Sequence, residues 1–363
     1  MTMARRPQQT GTLASIAAKL GVSRTTVSNA YNRPEQLSAD LRKRILDTAE
    51  KMGYMGPDPM ARSLRTRRVG TIGVLLTEHL SYAFEDMASV DFLAGMAEAA
   101  YGNTMLTLVP ANPETSVDLM SAQQLVSQAV VDGFVIYSVA KGDPHLQAVR
   151  QRGLPTVICD QPADEEEVPF VGIDDRAAIA PAASALIAAG HRRIGILSIR
   201  LDRQRNDGRV TRERLENAHH HVQKSRVWGA LDVFREAGIN PADVPIMECW
   251  LNDREHNVAA AHALLGAHPD LTAVLCTTDS LAFGVLEYMH SIGKTVPEDL
   301  SLTGFDGTQP ALARGLTTVI QPNKKKGFEA GKLLFSMIEQ DSQGSGRMIL
   351  ETSFSAGSTV RRI

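Results

Sequence analysis

The chain has 363 residues, 43% of them hydrophobic, with 38 Lys/Arg against 41 Asp/Glu, a formal net charge of −3 and three cysteines. No apolar run approaches the ~18 residues of a membrane span, and Cys159, Cys249 and Cys276 are odd in number and scattered, which argues for reduced thiols and against a disulfide framework. The near balance of charge hides a division. Residues 1–68 carry 13 Lys/Arg against 5 Asp/Glu, whereas 69–363 carry 25 against 36, a basic head on an acidic body, as expected where only the head meets phosphate.

In chain order, Leu13, Ile16, Ala17 and Leu20 recur at helical spacing behind Thr12, a residue suited to capping, and Gly21 can take the left-handed conformation that ends a helix. Ser23 caps a second helix that buries only Val27, Ala30 and Tyr31. Its other face carries Arg24, Thr25, Thr26, Ser28 and Asn29, short or forked donors and acceptors suited to base edges. Taken alone, this is also compatible with a helical hairpin packed on a larger domain. A third helix opened by Ser38, with Leu41, Ile45, Ala49 and Met52 inward and Gly53 after it, supplies the apolar surface for a separate miniature core. Two prolines and a glycine in 56–59 mark a boundary, and Pro59 behind Asp58 opens a helix of about two turns, too short to persist unaided.

The body alternates strands and helices. Strands are expected at 71–76, 105–109, 134–137, 156–159, 194–197, 244–248, 273–276 and 300–303, with helices near 92–101, 117–131, 177–189, 227–237, 258–268, 280–292 and 324–339. That order implies parallel sheets covered on both faces, and nearly 300 residues implies two lobes with a ligand cleft outside the carboxyl ends of the strands. Polar or aromatic residues just past strand ends are the cleft candidates: Tyr82, Phe84, Asp160, Trp250, Asp279 and Asp306, with Arg226 opening a helix. Asp279 is equally suited to cap the helix from Ser280, and Trp228 is assigned to the core.

The segments Val22-Ser23-Arg24-Thr25-Thr26-Val27-Ser28 and Ala61-Arg62-Ser63-Leu64-Arg65 resemble the lactose and purine repressor (LacI/GalR) family, and the rest of the chain agrees from end to end. The resemblance implies a helix-turn-helix DNA-binding head (1–56), a hinge helix and linker (57–68), and an α/β effector domain (69–363) like the periplasmic sugar-binding proteins. Crossovers near Ile173, Ile320 and Asp341 would divide the latter into lobe one (69–173 and 321–341) and lobe two (174–320 and 342–363). It implies that Arg24, Thr25 and Asn29 contact bases, that Ser23, Thr26, Ser28, Asn32 and Tyr54 position phosphates, and that Arg62 and Leu64 belong to the hinge, Leu64 as the minor-groove wedge. Gly53 to Ala61 is one residue longer than the usual pattern. Arg226 and Asp306 match the family's effector-anchoring pair, and Trp250 lies near its ring-stacking position. A sugar or nucleoside-like metabolite fits these residues.

Residues 201–224 form a long charged insertion, expected as a solvated loop, with a lid over the cleft as the alternative. His219-His220-His221 has the look of a metal tract, but no Cys or carboxylate pattern completes a site, so no metal or other cofactor is expected. Residues 347–363 read as a final strand and a frayed end. No dinucleotide, P-loop or nucleophile-elbow motif occurs, so catalysis has no support. The expectation is a cytoplasmic homodimeric regulator of the repressor type, controlled by a small molecule. A solute-binding protein without a DNA role is the alternative, and the head argues against it.

Overall fold

The computed structural model describes residues 11–56, 68–76, 80–102, 104–111, 118–342, 344 and 346–363, with the side chains of 80–82 outside the description. The chain divides into two compact units, residues 1–69 and 70–363.

In the first unit, α1 (Leu13–Leu20), α2 (Arg24–Asn32) and α3 (Ala39–Lys51) enclose Ile16, Ala17, Val27, Ala30, Ile45 and Ala49. The side chain of Thr12 accepts from the Ser15 amide in a capping box, and Gly21 at φ 66° accomplishes the turn. Ser23 then accepts from the Thr26 amide at 2.9 Å and starts α2. Of the hinge, 57–67, with Arg62 and Leu64, lies outside the described residues.

The second unit contains two sheets. The first joins β1 (Thr71–Leu76), β2 (Met105–Pro110), β3 (Gly133–Tyr137), β4 (Thr156–Cys159), β5 (Phe170–Gly172) and β12 (Arg347–Ile349) in the order β12-β5-β4-β3-β1-β2, parallel throughout. The second joins β6 (Ile194–Ile199), β7 (Gly208–Arg209), β8 (Ile246–Cys249), β9 (Ala273–Cys276), β10 (Ser301–Asp306), β11 (Thr317–Ile320) and β13 (Ser353–Ser355) in the order β13-β11-β10-β9-β6-β8-β7. Both of its edge strands, β13 and β7, are antiparallel, a departure from the all-parallel expectation. Central strands such as β1 and β10 are buried along their whole length because helices cover both faces.

The chain crosses between sheets after β5, after β11 and between β12 and β13. The first two crossings fall beside Ile173 and Ile320. The third does not fall at Asp341: β12 pairs with β5, so the chain is still in the first lobe at Arg347–Ile349 and passes to the second only before β13. Nor is the carboxyl-terminal segment a single strand and a frayed end. Leu302 donates to the Thr359 carbonyl at 2.8 Å and Ile363 to that of Ala189 at 2.9 Å, which pins the last residues to the second lobe.

Helices Met87–Ala99 and Asn323–Gln340 cross closely over the first sheet. A Cβ on Gly95 would lie 1.9 Å from the Lys324 carbonyl oxygen and one on Gly327 2.0 Å from that of Phe92, so this approach requires glycine on both sides. The insertion is ordered rather than a solvated loop: it contains β7 and the helix Arg212–Glu216, and the next helix begins already at His221, so that Arg226 lies in its second turn and not at its start. Buried Glu248 on β8 holds the insertion, accepting from the Leu201 amide at 2.8 Å, Asn206 at 2.9 Å and the Arg214 guanidinium at 2.5 and 2.9 Å.

Candidate DNA-reading face and effector cleft

On the head, the exposed side of α2 presents Arg24 and Thr25 to solvent, beyond the Ser23 cap. Ser23 Oγ and Thr26 Oγ1 lie 2.8 Å apart. Asn29 donates to Gln36 Oε1 at 2.9 Å, which orients its amide, and Gln36 is a residue that sequence reasoning passed over. Asn32 donates to both the carbonyl and the hydroxyl of Ser28 at 3.1 Å, so these two hold each other along the helix. Tyr54 stands edge-on to Tyr31, ring centroids 5.9 Å apart, against the head's core. The result is a polar face on which Ser23, Thr26, Ser28, Asn29 and Asn32 are held by caps and short-range hydrogen bonds.

Between the two sheets lies a cavity of about 80 Å³, smaller than the roughly 300–1,000 Å³ of a small-ligand pocket. Asp160, Arg226 and Asp306, three of the seven residues predicted for the cleft, line it together. Arg226 is buried: its Nε donates to Asp175 Oδ1 at 2.8 Å, its Nη1 donates to the Thr277 carbonyl at 2.9 Å and lies 3.6 Å from Asp306 Oδ1, and its guanidinium stacks 3.7 Å from the centroid of the Phe305 ring. Burial opposes the Arg226 charge, but the carboxylates of Asp175 and Asp306 outweigh it and raise its pKa. Burial, with mutual repulsion among Asp86, Asp279 and Asp306, pushes Asp306 well above the usual carboxylate range. It raises Asp86 and Asp175 too, because one guanidinium cannot fully compensate the carboxylates around it.

A second line of contacts runs along the floor. Lys326, 1% exposed, donates to both oxygens of Asp160 at 2.8 and 2.9 Å and to Gln321 Oε1 at 2.7 Å. Gln321 in turn donates to Asp306 Oδ1 at 2.6 Å. Asp160 of the first lobe is thereby joined to Asp306 of the second through the crossing segment.

The remaining predictions fare differently. The side chain of Tyr82 lies outside the described residues. Phe84 is 59% exposed and does not line the cavity: on the short helix Leu80–Glu85 it is Ala83 that faces inward, and the next residue points away. Trp250 is 2% exposed but does not line the cavity either, because its amide donates to Asp207 Oδ1 at 2.8 Å and its ring packs 5.7 Å from the Arg200 guanidinium, which does line it. Asp279 is turned away from the cleft. It accepts from the Thr308 amide at 2.8 Å and from Thr318 Oγ1 at 2.6 Å, and Thr278, not Asp279, caps the helix Asp279–Ser291. Trp228 is half-buried against the second lobe's core, with Arg212 5.0 Å from the ring centroid. Sequence reasoning missed Asp86, Gln161, Arg200, His220, Gln223 and Gln321. Asp86 alone left a local sign, as the cap three residues before Ser89, whose amide it accepts at 3.0 Å.

Two family models account for most of the chain: that of the bacterial regulatory proteins of the lacI family matches residues 12–56, and that of the periplasmic binding proteins and sugar binding domain of the LacI family matches 69–357. The chain belongs to the LacI family. Among its relatives, the HTH-type transcriptional regulator IpsA of Corynebacterium glutamicum is 72% identical over 99% of both chains, and the HTH-type transcriptional regulator Rv3575c of Mycobacterium tuberculosis is 47% identical over 92% of both. A crystal structure of a LacI family transcriptional regulator from Corynebacterium glutamicum, 68% identical, covers 97% of this chain with a TM-score of 0.78 and is itself covered in full. The lac repressor dimer bound to operator, 19% identical with a TM-score of 0.76 over 97% of this chain and all of that one, shares the fold. This LacI family member is therefore an HTH-type transcriptional regulator and not an enzyme. Among the described residues no helix is long and apolar enough to cross a membrane.

Proposed function

We propose that this regulator grips a pseudo-palindromic DNA operator in the cytoplasm as a homodimer and that a small polyhydroxylated metabolite in the interlobe cleft controls its hold. Arg24, Thr25 and Asn29 read base edges, while Ser23, Thr26, Ser28, Asn32 and Tyr54 position phosphates. Arg62 and Leu64 of the hinge enter the minor groove, Leu64 as a wedge. Asp160, Arg226 and Asp306 anchor the effector, joined by Asp86, Arg200 and Gln223 from the same cavity.

The observation that carries the effector reading is the buried Arg226, set between Asp175 and Asp306 at the cavity wall, because a desolvated guanidinium flanked by carboxylates offers donors and acceptors side by side. Sugar hydroxyls both donate and accept and match such a wall. A nucleobase needs an aromatic plate, and the described side chains supply little of one: Trp250 is covered, Phe84 lies outside, and Tyr137 gives a ring face to Phe92, stacked at 3.9 Å and 9°. A sugar or related polyol is therefore favoured over a nucleoside.

The test is a thermal-shift screen of sugars, polyols and nucleosides against the wild type and Arg226→Ala, combined with gel shift on a duplex selected by the wild type. A polyol that stabilises only the wild type and alters its hold on the duplex supports the assignment. Stabilisation that survives Arg226→Ala puts the effector elsewhere.

A further inference from the structure

The histidine tract of the insertion is not explained by the anchoring residues, yet it lies where the lobes meet. From the first lobe, the Lys141 amide donates to the His219 carbonyl at 2.9 Å. Gln161, fully buried just past β4, reaches into the start of the helix His221–Glu236: its Oε1 accepts from the Val222 amide at 2.9 Å, and its Nε2 lies 2.9 Å from Ser138 Oγ, 3.2 Å from His220 Nδ1 and 3.4 Å from Gln223 Oε1. Because the Val222 amide can only donate, it fixes the carbonyl end of the glutamine, and the two N–H groups of the amide end go to the two nearer neighbours, Ser138 Oγ and His220 Nδ1, leaving the 3.4 Å approach to Gln223 as the weakest. His220 Nδ1 is then an acceptor, and the imidazole is neutral with its proton on Nε2.

We propose that Gln161 of the first lobe and the segment 219–223 of the second form a clasp that holds the cleft shut, and that protonation of His220 releases it. A proton on Nδ1 would face the Gln161 amide donor to donor, which costs the bond and leaves a charge in a buried site. The groups around the ring do not compensate. Arg200, Arg203 and His219 oppose its charge, and Asp202, which favours it, is engaged by His219 Nδ1 at 2.5 Å. On the facing lobe, Asp160 is held by Lys326 and Asp164 by Lys141. Along its own helix, Lys224 donates to the Glu216 carbonyl and Arg226 is paired with Asp175. Burial first, then Arg200, brings the His220 pKa down to about 3 in the closed cleft. Opening returns the ring to water and to an ordinary value near 6.5. The open form then takes up a proton that the closed form refuses, so closure weakens as pH falls through roughly 6.5, by about tenfold between pH 7.5 and 5.5.

The clasp is read without any ligand, so its failure and the failure of the polyol reading above are separable; the link to that reading is that the effector would be held less well at low pH. The experiment is amide hydrogen exchange on the full-length protein at pH 7.5 and 5.5, corrected for intrinsic rates, at Lys141 and Val222, whose acceptors lie across the cleft. The Ile196 amide, bonded to the Pro245 carbonyl within the second lobe, serves as reference. Protection at the two clasp amides should fall about tenfold relative to Ile196 in the wild type and stay level in His220→Gln, a neutral acceptor at either pH. In Gln161→Ala the Lys141 amide should lose protection already at pH 7.5. Equal wild-type protection at the two pH values, an undiminished fall in His220→Gln, or an unaffected Lys141 amide in Gln161→Ala would each overturn the clasp.

Discussion

Lys326 offers the sharpest test of how the cleft floor is held. It is 1% exposed and its ammonium spends its donors on Asp160 Oδ1, Asp160 Oδ2 and Gln321 Oε1 at 2.8, 2.9 and 2.7 Å. Lys326→Met keeps nearly the same volume, so the packing change is small and the loss is electrostatic. It leaves the Asp160 carboxylate, its side chain 10% exposed, without a counter-ion and the Gln321 oxygen without a donor. Removing one partner of a buried pair costs about 3–5 kcal/mol, a large fraction of the roughly 5–15 kcal/mol that holds a domain together. Urea unfolding at neutral pH should show that loss as a lower midpoint with an unchanged slope. Adding Asp160→Asn removes the stranded charge, so the double variant should recover at least half of the deficit. Costs that simply add, or a single variant within about 1 kcal/mol of the wild type, would refute the claim that the pair compensates itself in a dry site.

Arg24→Ala should cost roughly 1–3 kcal/mol, about 5- to 150-fold, on a selected operator and much less on random DNA of equal length, measured by fluorescence anisotropy at fixed salt. Gly327→Ala sets a methyl against the Phe92 carbonyl oxygen at 2.0 Å, and thermal unfolding should show a loss of at least about 1–3 kcal/mol unless the helices separate. Asp279 has its carboxyl pushed up to about 6 in the folded protein, first by burial. For an acid with a raised folded pKa, the contribution to stability is complete below the unfolded value near 4 and is lost as pH rises through 6. Asp279→Asn should therefore flatten the stability profile between pH 4 and 6 in chemical denaturation; an unchanged slope would assign it to other carboxylates.

What could be read before folding follows from which signals are local. The helices of the head were legible because their periodicity and caps are contained within a few residues, and strands β1, β4 and β9 were placed to the residue because their mainly apolar runs end abruptly in polar residues. β5 and β11 escaped: Phe170–Gly172 is only three residues long, and Thr317–Ile320 opens with two threonines that break the apolar run. Arg226 was visible, yet Asp175, 51 residues away, was not, since only the packing of the helices Asp175–Ala178 and His221–Glu236 within the second lobe brings them within 2.8 Å. Trp250 was misread because position after a strand does not say which way a ring turns: here the ring packs against the Arg200 guanidinium while the backbone amide donates to Asp207 of the insertion.

The run Lys324-Lys325-Lys326 carries this furthest. As a sequence it reads as a solvated face, and two of the three behave so: both Lys324 and Lys325 are exposed, and Lys324 pairs with Glu98 at 2.9 Å. Helical phase alone puts Lys326 on the stripe with Ala330, Leu334 and Met337, all buried. Periodicity thus says that a lysine goes inside, but only the end of β4, folded more than a hundred residues earlier in the chain, supplies the Asp160 carboxylate that makes this tolerable. Cleft residues of this kind depend on partners contributed by both sides of a crossing, so the polar floor emerges only when the sheets are assembled, whereas the apolar cores on either side are already written in the spacing of each helix and strand.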